Sequence, residues 1–448
     1  MKSYDVTIVG AGAAGLAAAV AFCRRCEGRA LLIDVNDEAG RKILATGNGR
    51  CNLSHVAAPG WEKTKEFFDS LGVLLRTDEA GRAYPLSRRA DAVRRALVNE
   101  CKRLGCEFLL RTRVLSVSRG DEDDFVVEAE SAAPRARKSK RNDGSDIGAE
   151  RVSFRAKQVV VATGGKARPE YGNRGDGYAL ARAFGVEVNP IRPTLVPFLY
   201  ADDVRGELAA LAGVRAAADV KLLESGVAGF AEAGASPDAT KKTRAERAVD
   251  GVATEASGEV QFTEYGLSGI CIFDLSRCYE GQAASVSVDL APGLTKEEIA
   301  ELIAARRAAG LEGIVHPKIA AYIAGKMRSS AFAAASADEA LSDREGADGA
   351  PSDATYAGRA AALIKSFVVP VKGTKGWKDA QITAGGVALS EVSEKYFESK
   401  DVPGLYFAGE VLDYDGPSGG YNLDYAWNTG LKAGRAAGAY CASYLPTE

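Results

Sequence analysis

Two glycine-rich stretches at opposite ends of the chain contain residues whose types and spacing indicate a ligand-binding or catalytic site. Gly10, Gly12 and Gly15 form a Gly-x-Gly-x-x-Gly pattern directly after an apolar run. Glycines at this spacing allow a tight turn, a close approach of the backbone to a pyrophosphate, and close packing of the helix that follows. Asp34 ends the next apolar run, where its carboxylate would accept hydrogen bonds from ribose hydroxyls. The pattern predicts a dinucleotide-binding site.

The second stretch spans residues 404–430. It begins as a strand that ends at Gly409 and Glu410, continues as a glycine-rich loop, and predicts a helix from about Tyr421. The first N–H groups of such a helix are free, and its dipole favours negative charge at that end. We therefore expect this helix to face the ligand held by the N-terminal glycines.

A third loop bears on which dinucleotide is bound. Residues 40–54 read GRKILATGNGRCNLS, and this basic, glycine-rich loop begins only six residues after Asp34. A simple NAD domain would have a regular crossover helix here, which this composition does not favour. The N-terminal glycines alone leave NAD and FAD open, and the loop favours FAD.

The same loop resembles the GRKxxxSGxGRCNxSN signature of the BaiN/YhiN-like family of FAD-dependent oxidoreductases. Further segments resemble family motifs in the family's order, at residues 81–87, 161–169, 175–177, 266–269, 383–387 and 402–410. The resemblance extends over nearly the whole chain. It implies that the cofactor is FAD and that the loops just described line it.

The resemblance also implies roles for individual residues. Gly10 to Gly15 would hold the pyrophosphate, Asp34 the adenosine ribose, Val114 the adenine through its backbone, and Glu410 the ribityl hydroxyls. The helix from Tyr421 would place its positive end at the flavin ring, where negative charge develops on reduction; the alternative is a helix start that only packs. The expected FAD contacts are Gly10, Gly12, Ala13, Ala14, Gly15, Asp34, Val35, Arg41, Lys42, Thr46, Gly47, Asn48, Gly49, Arg50, Cys51, Asn52, Val114, Ala162, Thr163, Gly164, Gly165, Asp176, Gly385, Gly409, Glu410, Gly420, Tyr421, Asn422 and Leu423.

Candidate catalytic groups are few. The chain has only two histidines, which argues against a His-centred triad or a metal site, and we expect no metal. A second Gly-x-Gly-x-x-Gly and the Cys-x4-Cys pair of disulfide reductases are missing, which disfavours that class. Cys51 beside Arg50 could be an activated thiol, with a close-packed small residue as the alternative. The candidate proton donors or catalytic groups are Tyr421, Glu410, Cys51 and Tyr171, with Tyr425 as a further tyrosine.

Three functional hypotheses follow. The favoured one is a reductase that passes hydride from NADH or NADPH through flavin N5 to an activated C=C bond of an apolar substrate, and a steroid or bile-acid-like substrate follows only from the resemblance. The second is an amine or aminoketone oxidase that uses O2. The third is a flavin-binding RNA-modifying or regulatory protein, indicated only by the cations at residues 135–141. That tract lacks aromatic residues to stack bases, so we expect a small-molecule substrate and no nucleic-acid partner.

Composition sets the wider limits. The 57 basic and 60 acidic residues nearly balance, so no net field recruits nucleic acid or a membrane. The sequence has neither a membrane-spanning apolar run nor the apolar core of a signal peptide. The eight cysteines are too scattered for the framework of a small secreted domain. We expect a cytoplasmic protein without a membrane partner, and its oligomeric state stays open.

The expected fold is α/β. A Rossmann-like, glutathione-reductase-like FAD domain with two dinucleotide-binding halves would occupy residues 1–192 and 375–448. An inserted antiparallel β-barrel domain would occupy 193–290 and 356–374, because short strand-like runs alternate with turns there. A small helical domain would occupy 291–355, opened by a capping box from Thr295 to Glu298. Glu264 and Ile270 depart from the His and Pro that are usual in the family.

Overall fold

The computed structural model describes residues 1–132, 150–224, 254–306, 308–328 and 353–443. The cationic tract at 135–141 lies outside these ranges. By its internal contacts the chain divides into two compact units, the first comprising Met1–Pro193 and Ala380–Glu448 and the second Thr194–Asp379. The proposed domain boundaries, and a separation of barrel from helices within the second unit, stay predictions.

The described residues form eighteen strands and eleven α-helices. The strands are β1 (Lys2–Val9), β2 (Ala30–Ile33), β3 (Ser54–His55), β4 (Leu75–Thr77), β5 (Arg82–Pro85), β6 (Glu107–Leu109), β7 (Thr112–Arg119), β8 (Phe125–Ser131), β9 (Glu150–Val161), β10 (Val188–Thr194), β11 (Phe198–Tyr200), β12 (Arg215–Glu224), β13 (Glu255–Phe262), β14 (Gly266–Gly269), β15 (Ala284–Asp289), β16 (Phe367–Thr374), β17 (Ile382–Val387) and β18 (Leu405–Phe407). The helices are α1 (Ala13–Cys23), α2 (Trp61–Ser70), α3 (Ala90–Arg103), α4 (Asp176–Ala183), α5 (Asp202–Leu208), α6 (Ile270–Leu275), α7 (Lys296–Arg306), α8 (Ala308–Glu312), α9 (Pro317–Arg328), α10 (Asp353–Lys365) and α11 (Tyr421–Ala442). None of these described helices is both long and apolar enough to cross a lipid bilayer.

The first unit is built on a seven-stranded sheet of order β6-β2-β1-β9-β8-β7, with β18 paired to β9. The amino-terminal half of β9 pairs with β8 and its carboxyl-terminal half with β18. The strands β6, β2, β1, β9 and β18 run parallel. Because the carboxyl ends of parallel strands share one edge of the sheet, Gly10, Asp34, Ala162 and Ala408 all follow strands at that edge. This sheet confirms the predicted Rossmann-type fold.

The second unit contains a closed antiparallel barrel of order β11-β14-β13-β12-β15-β16. Its core includes the fully buried Phe198, Tyr200 and Phe262, and buried apolar residues of α7, α9 and α10 belong to the same cluster. The predicted capping box is present, since the backbone N–H of Glu298 donates to Thr295 Oγ1 at 3.1 Å and that of Thr295 to Glu298 Oε2 at 2.8 Å. The predicted inserted barrel is confirmed.

Helices α1 and α11 pack with their backbones in contact in the first unit. A methyl group on Gly430 would lie 2.3 Å from the carbonyl oxygen of Ala14, and one on Gly434 would lie 2.1 Å from that of Ala18. Such separations are far shorter than van der Waals contact, so these positions admit no side chain. This close packing fixes α11 against α1, the helix that follows the N-terminal glycine turn.

We predict that Gly434→Ala lowers the free energy of unfolding of the first unit. The methyl group gains about 1 kcal/mol of helix propensity but overlaps the Ala18 carbonyl, and overpacking costs roughly 1–3 kcal/mol or more. The matched control is Gly325→Ala in α9, where a methyl group would meet no atom within 4 Å and should stabilise slightly. Urea titrations of both variants test this, and equal midpoints for the two would contradict it.

Candidate cofactor-binding and active site

The N-terminal glycine turn has the shape of a phosphate cradle. Gly10 has a φ of 104°, and a methyl group on it would lie 2.3 Å from the carbonyl oxygen of Ala162. A methyl group on Gly15 would lie 1.8 Å from the carbonyl oxygen of Gly10. Gly12, in contrast, faces open space, because no atom lies within 4 Å of where its Cβ would be. Since Gly12 is the N-cap of α1, that space lies at the positive end of a helix and suits a pyrophosphate.

Asp34 lies against this turn. Its Oδ2 accepts the N–H of Ala11 at 2.7 Å, and its Oδ1 accepts the backbone and side-chain N–H groups of Asn36 at 2.8 and 2.9 Å. Burial raises the pKa of Asp34, and these hydrogen bonds act in the opposite direction. A carboxylate has about four acceptor sites, so three donors leave space for a ribose hydroxyl.

The basic loop after β2 lies beside the glycine turn. The N–H of Gly40 donates to the carbonyl oxygen of Ala11 at 2.7 Å, and a 3-10 helix, Arg41–Gly49, follows. Asn48 and Cys51 have positive φ angles of 54° and 57°. Strained non-glycine residues of this kind cluster where a loop is shaped to bind a ligand.

The Glu410 carboxylate lies against three distant segments of the chain. Lys42 Nζ donates to its Oε2 at 2.7 Å, and the N–H of Thr383 donates to its Oε1 at 2.9 Å. A methyl group on Gly165 would lie 2.7 Å from Oε1. About two acceptor sites of the carboxylate remain for a sugar hydroxyl, and contact with the ribityl chain stays a prediction.

The first turn of α11 brings Tyr421 against His55. The hydroxyl of Tyr421 lies 3.1 Å from Nδ1 of His55, and the two rings stack at 4.8 Å between centroids. Nε2 of His55 lies 2.8 Å from the carbonyl oxygen of Ala80, which can only accept, so Nε2 carries the proton. Nδ1 is therefore an acceptor, and the N–H of Ala57 at 3.0 Å and the Tyr421 hydroxyl share its single lone pair. The argument from histidine scarcity missed this pair, although His55 directly follows the signature loop.

A buried carboxylate ties the signature loop to α11. Asp424 Oδ1 accepts the hydroxyls of Ser54 and Thr64, both at 2.7 Å, and its Oδ2 accepts the N–H of Gly60 at 3.0 Å. Asp424 is only 3% exposed. Its partners lie more than 350 residues away in sequence, so sequence reasoning did not identify it.

The structure describes the surroundings of two further predicted catalytic residues, Cys51 and Tyr171, whose roles stay predictions. Cys51 is fully buried, and burial raises the pKa of its thiol to about 12, with the Thr46 hydroxyl acting against the rise. A protonated, inaccessible thiol fits the packing role better than an activated one. The carbonyl oxygen of Tyr171 accepts the side-chain N–H of Asn36 at 2.8 Å, and the same amide group donates to Asp34.

Two of the predicted cofactor contacts, Asp176 and Gly385, also make contacts within the protein. Asp176 forms an ion pair with Arg113 at 2.6 Å, one residue before Val114 in β7. Gly385 admits no side chain because a methyl group would lie 2.0 Å from the carbonyl oxygen of Pro190. The other predicted contacts lie on the segments already described: Ala13 and Ala14 on α1, Val35 after β2, Thr46, Gly47, Gly49, Arg50 and Asn52 in the signature loop, Thr163 and Gly164 after β9, Gly409 after β18, and Gly420, Asn422 and Leu423 at the start of α11.

These residues fit FAD. The open face of Gly12 suits the pyrophosphate, Asp34 has room for a ribose hydroxyl, and Glu410 has acceptor sites for a sugar chain. The three loops and both helix starts come from one compact unit. In this arrangement Tyr421 is the predicted catalytic residue whose hydroxyl has a partner able to hold it in place.

We predict a pH-dependent contribution of Asp424 to stability. Burial raises its pKa above the ordinary value of 3.8, so the folded state binds this proton more tightly than the unfolded state does. The resulting stabilisation is complete below pH 3.8 and is lost as the pH rises through the raised pKa. Urea titrations from about pH 3.5 to 7 should therefore show wild-type stability falling relative to Asp424→Asn. A difference that is constant or grows with pH would contradict this.

Comparisons with known proteins identify the family of the chain. The HI0933-like protein Rossmann domain model matches residues 60–436. A 3-dehydro-bile acid delta(4,6)-reductase of Clostridium scindens is 30% identical over 96% of this chain and 98% of its own length. A ribosomal RNA dihydrouridine synthase of Escherichia coli is 28% identical over 96% of each chain. A solved 3-ketosteroid-delta4-(5alpha)-dehydrogenase from Rhodococcus jostii RHA1 has a TM-score of 0.46 at 15% identity, covering 98% of this chain and 97% of its own, too distant to indicate function. The resemblance predicted from the loops is confirmed, and the chain belongs to the HI0933-like Rossmann family of FAD-dependent oxidoreductases.

Proposed function

We propose that the protein reduces a C=C bond conjugated to a carbonyl group in an apolar, steroid-like substrate. The observation that carries this proposal is the likeness, over nearly both full lengths, to a relative whose name describes reduction of a dehydro-bile acid. FAD held at the site would supply the hydride for the β carbon, with NADH or NADPH as the source of the reducing equivalents. The α carbon must then receive a proton, and the chain has to provide it.

Tyr421 is the best-placed proton donor. This half-buried tyrosine is the first residue of α11, where free N–H groups also favour negative charge on a nearby carbonyl oxygen. His55 holds the Tyr421 hydroxyl through an acceptor nitrogen, and Ala80 and Ala57 fix the imidazole from both sides. His55 is thus a positioning residue, because its Nδ1 has no proton to pass on. Solvent would restore the proton of the tyrosine.

The other candidates serve this role less well. Both carboxylate oxygens of Glu410 are engaged by Lys42 and Thr383. Tyr425 packs face to face against Tyr414 at 3.8 Å between centroids, and burial raises its pKa. These contacts favour structural roles, so the proposal assigns proton donation to Tyr421 alone.

Reduction of uridine in ribosomal RNA is the second candidate. It is favoured by the likeness to a relative named as a ribosomal RNA dihydrouridine synthase. The C=C bond of uracil is also conjugated to a carbonyl, so the same hydride and proton would be needed. The two candidates therefore differ in substrate class and not in chemistry. The absence of a nucleic-acid partner, expected from composition, stays a prediction.

We predict that Tyr421→Phe separates the two half-reactions. NADH or NADPH should bleach the flavin band of the anaerobic variant as fast as that of wild type. Reoxidation by a 3-oxo-4,6-diene bile acid should slow by about 10²- to 10⁴-fold, the range that general acids contribute. The control is Tyr396→Phe, a 40% exposed tyrosine, which should leave both steps unchanged. Stopped-flow absorbance measures each step.

Each alternative hypothesis predicts a different result in these experiments. If neither nucleotide bleaches the flavin and amines drive O2 uptake, the oxidase hypothesis replaces this one. If the reduced protein ignores the steroid but forms dihydrouridine in ribosomal RNA, detected by mass spectrometry of digested RNA, the second candidate is correct. Equal reoxidation rates for wild type and Tyr421→Phe would remove Tyr421 from the chemistry.

A further inference from the structure

The small sheet β3-β5-β4 of the first unit carries two exposed leucines side by side. Leu74 and Leu86 are 62% and 57% exposed, and the N–H of Leu86 donates to the carbonyl oxygen of Leu74 at 2.8 Å. Residues directly opposite each other on antiparallel strands place their side chains close together on one face. A single exposed leucine is ordinary on a protein surface, but this pair forms an apolar patch.

The strand register shows which other residues share the face with this patch. His55 is paired with Arg82, and Tyr84 is paired with Arg76. Alternate residues of a strand lie on the same face. Ala83, between Arg82 and Tyr84, points the other way and is fully buried. The outer face of the sheet therefore carries His55, Arg82, Tyr84, Arg76, Leu74 and Leu86.

The outer face is continuous with the candidate active site. The ring of Tyr421 stacks on that of His55. A methyl group on Gly419 would lie 3.9 Å from Cδ2 of His55, so the loop before α11 also borders the face. Further along, a methyl group on Gly47 of the signature loop would lie 3.7 Å from Cε1 of Tyr84. A ligand on the outer face would thus reach Tyr421 at one end.

The length and charge of the outer face indicate what kind of ligand it fits. The four residues from Arg82 to Leu86 span about 13 Å of strand, which is comparable with the length of a fused four-ring system. Arg82 is paired with Asp78. Arg76 lies two strands away from His55 and is exposed, and among the described residues it forms no ion pair. A complementary ligand has an apolar body and an anionic group at its far end.

We propose that the outer face binds the apolar body of the substrate, with its conjugated carbonyl end toward Tyr421 and an anionic group toward Arg76. Leu74 and Leu86 then select an apolar ring system, and Arg76 selects an acid over its neutral analogue. The inference rests on the proposed function and deepens it, because it names the substrate class as an apolar carboxylic acid. These three side chains act in binding and take no part in the transfer of hydride or proton.

The first test replaces both leucines by serine in the FAD-loaded full chain. Equilibrium dialysis with a 3-oxo-4-ene bile acid should show a Kd raised roughly five- to thirtyfold, the loss expected when two side chains are no longer covered by the ligand. The KM for a 3-oxo-4,6-diene bile acid should rise by a similar factor. Neither kcat nor the bleaching of the flavin by NADH or NADPH should change, since the leucines touch no reacting atom.

The matched control is Leu115→Ser, which changes a 42% exposed leucine on β7. Its Kd, KM and kcat should equal those of wild type. Exposed positions tolerate such changes with little effect on stability, so melting curves of the control and the double variant should coincide with that of wild type. This comparison separates loss of a ligand contact from loss of structure.

The second test, Arg76→Gln, examines the anionic end. The Kd of the bile acid should rise roughly two- to fivefold, as expected for one exposed ion pair, and high salt should remove the difference. The Kd of a neutral 3-oxo-4-ene steroid without the carboxylate should stay at the wild-type value. Equal weakening of both ligands would contradict the selection of an acid.

The outcomes separate this proposal from the proposed function. If wild type reduces the bile acid and the double leucine variant has the same Kd and KM, the proposal is overturned and the reduction stands. A changed sedimentation coefficient of the variant with an unchanged Kd also overturns it, because the leucines then belong to a contact between protein chains. If the acid binds through the leucines and Arg76 but is not reduced, the binding face stands and the proposed reduction fails.

Discussion

The structure of the first unit depends on one steric constraint, the backbone contact between α1 and α11. Gly430 and Gly434 leave no room for a side chain against Ala14 and Ala18. Gly409, at the end of β18, also lies against Ala14, since a methyl group there would come within 2.8 Å of the Ala14 Cβ. Ala14 therefore meets two segments of the C-terminal part of the chain. Any side chain at these contacts would move the start of α11 away from the N-terminal glycine turn.

A set of hydrogen bonds around Asp424 also holds α11 in place. Asp424 gathers Ser54, Gly60 and Thr64 around one buried carboxylate. Burying a carboxylate is costly, and these three donors offset part of that cost, although burial still raises the pKa of Asp424. Asp424 lies one helical turn after Tyr421, and its partner Ser54 directly precedes His55. The hydrogen bonds of Asp424 thus bring Tyr421 and His55 into contact. Groups that do no chemistry themselves position the proposed proton donor.

The sequence predicted those parts of the site that short-range spacing determines. The glycine turn, Asp34 and the start of α11 are of this kind, because a tight turn or a helix N-terminus needs particular residues at fixed offsets. The contacts that were missed join distant segments. His55 meets Tyr421 across 366 residues, and no local pattern indicates which tyrosine it faces. No local pattern indicates the contact of the Tyr171 carbonyl with Asn36 either, because it joins residues 135 positions apart.

The same distinction applies to charge. A sequence shows that a lysine or an arginine is present, but only the folded structure shows whether a carboxylate neutralises its charge. Lys42 and Arg113 each face a carboxylate, so neither adds much net field at the site. The positive ends of two helices also lie at this part of the first unit. Helix dipoles need no reorganisation when charge develops, so this arrangement favours a ligand that becomes more negative during the reaction.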